Sequence, residues 1–419
     1  MEIIKSEGAV VHTGNNHAYS GRYNRRLVFD LLRTTGELSR SDLVESTGLQ
    51  PQTIANITQD LLKRGLLIEE GRSTNRRGAP QKFLRLNARA GCVFGVHLDR
   101  NGITAVACDL FACELARRTA PVSWQNPEAS ISNIAKLVAE LSQECEGVPV
   151  WGTGIAMPTL QEADFEKYVG SPGWQAWSHV PTADAVEALC GMPVIVENDA
   201  TAAALAERQV GSAVGLTHYI YIFVGHGLGA GIIVDGLPFQ GAFNNAGEIG
   251  LLSWPSELQP VAADVTPFSL EELAITLAVD LSALEQPDFL NSLYQQRNSE
   301  LMAWLELNSK RLRILVSIIE NMFDPQKILI GGCLPPALFA SLVDRTYPLL
   351  PSVAARKVRH MPRLEHARLG AEAAAIGAAL LPIIAHGSPF FRRLSLMRAR
   401  TVVIDPEIYF DRVAGLPVS

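Results

Sequence analysis

The chain has 419 residues, 47% of them hydrophobic and 19% charged, which is the ordinary composition of a globular protein with two or three domains and a large core rather than of a membrane or disordered one. Its net charge of −7 is unevenly spread: Arg22 to Arg89 carries 13 Lys and Arg against 7 Asp and Glu, a net +6 that leaves −13 on the rest. A basic head is drawn to phosphate, whereas an acidic body is repelled by it.

In chain order, the apolar spacing predicts three helices within the first 64 residues. They are Tyr23–Leu32, a helix from Ser39 to Gly48 carrying Leu43 and Val44, and one from Pro51 to about Arg64 carrying Ile54, Ile57, Leu61 and Leu62. Ser39 is an N-cap with Asp42 three residues on, Gly48 a C-cap, and Pro51 fits the first turn of the third helix. Gly65–Ile68, a basic turn over residues 71–78 and a strand at Phe83–Leu86 complete the outline of a winged helix-turn-helix, a shape that sets one helix in a DNA major groove. With Ile54, Ile57 and Leu61 inward, Gln52, Thr53 and Asn56 face outward toward base edges. Arg40 and Ser41 are candidates for backbone phosphates, and Arg76 and Arg77 at the wing tip for the minor groove.

From Cys92 the period changes. Strands are predicted at Val93–Asp99 and Ile103–Asp109 around Asn101-Gly102, a helix from about Ile131 to Cys145, and strands at Val150–Met157 and Pro193–Glu197. Asn198-Asp199 ends the last of these before an Ala-rich helix from Ala200 to Arg208. Strands at Tyr219–Val224 and Gly231–Val234 flank a glycine loop, Gly225–Gly231, and Lys327–Ile330 runs into Gly331-Gly332. Alternating strands and helices make an α/β body with its crevice at the strand C-termini. There a carboxylate and an amide offer what a polyol satisfies, and a glycine loop lets backbone N–H groups approach a phosphate. Trp174 and Trp177 are candidates to stack on a sugar face or to fill the core. The six cysteines form no CxxC pair and read as reduced, small core residues of a cytosolic chain. The start of the chain has no signal-peptide pattern, and the most apolar tract, Ala371–Ala385, is interrupted by Gly377 and Pro382 and too short to span a bilayer.

On Glu197-Asn198-Asp199-Ala200, the glycine loop, Gly247-Glu248-Ile249-Gly250 and Gly331-Gly332, residues 20 to 385 resemble the ROK (repressor, open reading frame, kinase) family, and its transcriptional regulators in particular. The resemblance implies a two-lobed actin-like, ribonuclease-H-like ATPase fold with a sugar between the lobes. It implies that Asp199 matches the kinases' general base, and that Asn198 and Glu248 bond sugar hydroxyls. Two departures stand out. The family's Asp-x-Gly-Gly-Thr phosphate loop is matched by Asp99-Arg100-Asn101-Gly102-Ile103, without one glycine and the threonine. The zinc-binding His that follows Gly-Glu-Ile-Gly in relatives is Leu251, and no cysteine follows before Cys333.

The expectation is therefore a sugar-responsive regulator, a repressor of carbohydrate metabolism, with Asp199 a vestigial base, no zinc and no ATP. Its partners are an operator duplex, a sugar effector and a second or further copies of itself as homodimer or homotetramer, with no membrane. A sugar kinase carrying a DNA-binding domain is the alternative, and a body that binds a protein partner is a third reading. The expected divisions are residues 1–88 (winged helix-turn-helix), 89–200 (first lobe), 201–385 (second lobe with a returning C-terminal helix) and 386–419 (C-terminal extension).

Overall fold

The computed structural model describes residues 17–72, 81–158, 176, 177, 180–259, 261, 262, 265–286, 288–356, 358–389, 397 and 398. The chain divides into one unit built on residues up to Leu86 together with Gly387–Pro389, and another built on Asn87–His386.

The first unit runs α1 (His17–Thr35), β1 (Leu38–Ser39), α2 (Arg40–Thr47), α3 (Pro51–Lys63), β2 (Leu67–Arg72) and β3 (Gln81–Leu86). Its three strands pair antiparallel in the order β1-β3-β2. The caps form as their residue types dictate. The Ser39 hydroxyl accepts from the Asp42 N–H while the Asp42 carboxylate accepts from the Ser39 N–H at 2.8 Å, and Gly48 turns left-handed at φ 68° to end α2. Pro51 opens α3. Val28, Phe29 and Leu32 of α1, Leu43 of α2, Ile54 and Leu61 of α3, and Leu84 and Leu86 of β3 are buried. In this unit the Ser388 hydroxyl donates to the Asp30 carboxylate at 3.0 Å, so part of the expected C-terminal extension belongs here.

The second unit holds two sheets. The first is made from β4 (Cys92–Asp99), β5 (Gly102–Asp109), β6 (Glu114–Ala120), β7 (Val150–Met157) and β8 (Val194–Asn198), with α4 (Pro127–Glu144), α5 (Thr182–Cys190) and α6 (Asp199–Val210) between and after them. The second contains β9 (Tyr219–Val224), β10 (Leu228–Val234), β11 (Leu237–Pro238), β12 (Lys327–Gly332) and β13 (Leu364–His366). With it go α7 (Leu270–Leu277), α8 (Phe289–Gln295), α9 (Ser299–Phe323), α10 (Pro336–Thr346) and α11 (Ala373–Gly387). A short β14 (Met397–Arg398) pairs antiparallel beside β8. The strand orders are β14-β8-β7-β4-β5-β6 and β11-β10-β9-β12-β13. Leaving β14 aside, both sheets have the same plan: three antiparallel strands and two parallel ones in the order 3-2-1-4-5.

One sequence expectation needs correction here, and two further elements take a form the sequence did not make evident. The returning C-terminal helix, α11, runs through both Gly377 and Pro382 without a break. Pro382 removes the N–H that would bond the Ala378 carbonyl, and that carbonyl lies against Gly154 of β7 so closely that a Cβ there would stand 1.9 Å from it. The cysteines are not all reduced: Cys92 at the start of β4 and Cys145 at the end of α4 form a disulfide, while Cys108, Cys113, Cys190 and Cys333 are free. The pair is 53 residues apart in sequence, and only the packing of α4 over the sheet brings it together. Finally, β6 is a strand although Glu114-Leu115-Ala116-Arg117-Arg118 carries no apolar run, because it is the outer strand of its sheet and needs no second buried face. No helix among the described residues is long and apolar enough to cross a membrane.

Candidate functional site

The sequence places a capping residue at the end of β8, and the geometry follows from that. The Asn198 side-chain oxygen accepts from the N–H groups of Ala200 (2.9 Å) and Thr201 (3.3 Å), so it caps α6 and its oxygen is committed there. Asp199 is thereby fixed in the first turn of α6, where the helix N-terminus favours negative charge. Burial outweighs that preference and pushes the Asp199 carboxyl above its ordinary range; nearby His97 pulls it down and Asp99 pushes it further up.

Glu248 reaches the same place from the second sheet. Gly247 has φ +102° and accepts from the Ala230 N–H at 2.9 Å; a Cβ on it would stand 2.0 Å from the Ala230 carbonyl oxygen. Only glycine allows that approach, and it pins Glu248 beside β10. The Glu248 side chain makes no capping bond. Burial, and after it the charge of Asp199, raises its carboxyl from 4.5 to about 7. Glu248 thus lies within the electrostatic reach of Asp199, which follows Asn198 directly in the chain. Glu197, one residue before Asn198 and buried, is raised to about 8 by desolvation.

The glycine loop divides its labour. Gly225 and Gly227 make the turn between β9 and β10, closed by the Gly225 N–H donating to the Gly227 carbonyl at 3.0 Å. Gly229 and Gly231 instead let β10 pack on α6; a Cβ on Gly231 would stand 2.4 Å from the Ala200 carbonyl oxygen. The turn is anchored from behind, since the Leu270 N–H at the start of α7 donates to the Gly225 carbonyl at 2.9 Å. That helix is in turn held by a wholly buried ion pair, Arg311 to Glu272 at 2.6 Å.

Two residues of the site, His226 and His97, carried no decisive sequence signal. His226, at the tip of the glycine turn, lies with Nε2 3.7 Å from Asp99 Oδ2 at the end of β4, and neither ring nitrogen has a hydrogen-bond partner. Burial lowers its pKa. His97, two residues before Asp99 and so on the same face of β4, is 5% exposed with an unpartnered Nε2. His97, Asp99 and Cys333 line a cavity of about 430 Å³ together with Asn101, Thr104 and Thr119. The alternation His97-x-Asp99 at a strand end was the signal available. Trp177, by contrast, is core: it is 4% exposed, with its ring 5.4 Å from that of Trp124. Trp174 lies outside the described residues.

In the first unit, Gln52 and Asn56 are exposed on one face of α3, and the Gln52 amide donates to the Asn56 side-chain oxygen at 3.0 Å. Thr53 is half-buried, and Ser41 is exposed with its hydroxyl 3.1 Å from that of Ser39. Arg40 is engaged internally: its guanidinium donates to Glu69 at 2.6 Å and to the Thr58 hydroxyl at 3.1 Å. Arg76 and Arg77 lie outside the described residues.

The sequence pattern of the ROK family matches residues 93–384. The chain belongs to the ROK family. Among ROK relatives, the xylose repressor of Caldicellulosiruptor bescii is 27% identical over 238 residues, 56% of this chain and 59% of that one. The DNA-binding transcriptional dual regulator NagC of Escherichia coli is 26% identical over 336 residues, 74% of this chain and 80% of that one. A crystal structure of a ROK family transcriptional regulator, a homologue of the E. coli MLC protein, superposes with a TM-score of 0.66 at 21% identity, covering 95% of this chain and all of that one. The resemblance implies a zinc ion in ROK proteins, held by a histidine directly after the Gly-Glu-Ile-Gly segment. The residue after Gly247-Glu248-Ile249-Gly250 is an exposed leucine without a lone pair, and no group of three His, Cys, Asp or Glu side chains among the described residues is placed to hold a metal.

Proposed function

We propose that this ROK protein is a cytoplasmic transcriptional repressor of carbohydrate metabolism. In this reading the first unit is a winged helix-turn-helix that reads an operator with Gln52, Thr53 and Asn56 of α3, and a sugar bound at Asn198, Asp199 and Glu248 controls it. The observation that carries the reading is the coexistence in one chain of an α1-β1-α2-α3-β2-β3 unit with an exposed amide-bearing helix and a ROK cleft with converging acceptors. The relatives named as a xylose repressor and as NagC support it. As a homodimer or homotetramer the protein would match half-sites about one helical turn apart, and a sugar that binds one lobe arrangement better would shift the equilibrium away from the DNA-binding one.

The same reading makes the cleft inactive as a kinase and independent of zinc. The β4–β5 turn presents the side chain of Asn101 where the family's kinases have glycine, and Ile103 where they have threonine. Arg100 lies 3.6 Å from Glu271 of α7, and Asp99 lies opposite His226. Asp199 keeps a kinase with an attached DNA-binding domain as the second reading. The deciding experiment pairs release of a labelled palindromic operator by a sugar panel with ADP release over the same panel. Operator release without turnover supports repression, whereas turnover abolished by Asp199→Asn supports the kinase. Operator retention against every sugar sinks the sugar-responsive reading.

A further inference from the structure

Resting on the reading of this chain as a sugar-responsive repressor, we infer that α11 carries the state of the cleft to the first unit, and that the bond of Ser388 to Asp30 is the coupling through which it does so. The chain passes from one unit to the other at Leu86–Asn87 and again at His386–Gly387, in the last turn of α11. The approach to this second passage begins at the cleft. Ala371, two residues before α11, lines the same cavity as His97 and Asp99. A Cβ on Gly95 would stand 2.0 Å from the Ala375 carbonyl oxygen, so α11 lies on the face of β4 that carries His97 and Asp99 at the next alternate positions. On α6, the Ala202 carbonyl that presses on Gly377 belongs to a residue three positions after Asp199. At both places backbone rests on the glycine itself, with no side chain between to yield. Interiors packed this closely transmit a displacement and do not absorb it. A shift of β4 against α6, the elements that present Asp99 and Asp199, therefore has to be taken up by α11.

Beyond the passage, Gly387–Pro389 belongs to the first unit and is held there firmly. A Cβ on Gly387 would stand 2.6 Å from the ring of Phe29, which is fully buried in α1. The Ser388 hydroxyl donates to Asp30 Oδ2, while Asp30 Oδ1 accepts from Arg33 at 2.7 Å, so one carboxylate ties the passage to α1 with both of its oxygens. Ser388 and Arg33 are buried, and hydrogen bonds to a charged group are the stronger kind. α1 packs in turn on α3, the helix that bears Gln52 and Asn56. A ligand that favours one arrangement of β4 and α6 thus biases the position of α1, by as much as its affinities for the two arrangements differ. Ser388 and Asp30 are positioning residues: they act on operator binding through α1.

The test measures operator affinity of the full-length chain with and without each of glucose, N-acetylglucosamine and xylose, and the affinity for each sugar by calorimetry. It compares the parent with Ser388→Ala, which removes only the bond to Asp30, and with a chain carrying two glycines inserted between Gly387 and Ser388, which gives the passage slack. Sugar affinity without DNA, and operator affinity without sugar, should each stay within about threefold of the parent. The factor by which the sugar weakens operator binding should fall by about threefold in Ser388→Ala and to nearly one in the insertion chain. A factor unchanged in both variants overturns the inference and leaves the sugar-responsive reading standing. Loss of sugar-free operator binding in both makes residues 387–389 a mere prop of the first unit and also overturns it. A parent that keeps its operator against every sugar overturns the inference and the sugar-responsive reading together.

Discussion

Asp99 and His226 face each other with 3.7 Å between Oδ2 and Nε2, although one ends the first strand of one sheet and the other tips the first hairpin of the other. Both sheets share one strand order, so the same hairpin recurs in each, and these residues stand where the two meet. The imidazole is buried and neither nitrogen is hydrogen-bonded, a state that costs stability unless a ligand or water completes it. His226→Phe removes the unsatisfied atoms and keeps the ring volume. We expect the unliganded Tm to hold or rise while the Tm shift produced by a bound sugar falls by at least half. Thermal melts with and without the sugar check this, and a full sugar shift in the variant refutes it.

Glu197 makes a prediction about pH. Its carboxyl accepts from the Asn198 N–H at 2.8 Å and from the Gln240 amide at 3.4 Å, yet burial raises it from 4.5 to about 8. The folded state therefore holds this proton more tightly than the unfolded one. The stability that this contributes is complete below pH 4.5 and is lost as pH rises through about 8. Glu197→Gln does not titrate and retains the oxygen that Asn198 needs. It should be more stable than the parent at pH 9 by on the order of 3 kcal/mol, with the gap closing toward pH 5. Parallel pH–stability curves for the two proteins would refute it. Glu248, raised to about 7, adds to the same slope.

The first unit separates recognition from stability. Gln52 and Asn56 are exposed and their side chains bond to each other, so replacing both by alanine should cost under about 0.5 kcal/mol of stability. Operator affinity should fall by about 1–3 kcal/mol. Arg40→Ala should behave otherwise, because Arg40 joins α2 to Thr58 of α3 and Glu69 of β2, and a loss of about 1 kcal/mol in stability is expected. Chemical denaturation alongside operator titration distinguishes the two; equal stability losses would contradict this division.

Gly377 is fixed by steric contact. A Cβ on it would stand 1.7 Å from the Ala202 carbonyl oxygen of α6, which no side-chain rotation relieves. Gly377→Ala should destabilise by about 3 kcal/mol or more, since helix backbones must separate to admit one methyl group. A melt within a degree of the parent would show that α11 does not press on α6 this closely.

Much of this protein is written locally. Ser39, Asp42, Gly48 and Pro51 set the boundaries of α2 and α3 through short-range hydrogen bonds and backbone preferences, and each can be read without knowing the fold. Asn198-Asp199 is legible for the same reason, as turn residues at the end of an apolar strand, whereas Gly247-Glu248 is legible only through the resemblance to the ROK family. Tertiary structure decided what depends on distance through space. It paired Cys92 with Cys145, placed His226 against Asp99, drew Arg40 to Glu69, and put Glu248 within the field of Asp199. The physical reason is that caps and periodicity act over a few residues of chain. Coulomb fields, burial and contact act over a few ångströms of space, and only the packing of two sheets brings those ångströms into being.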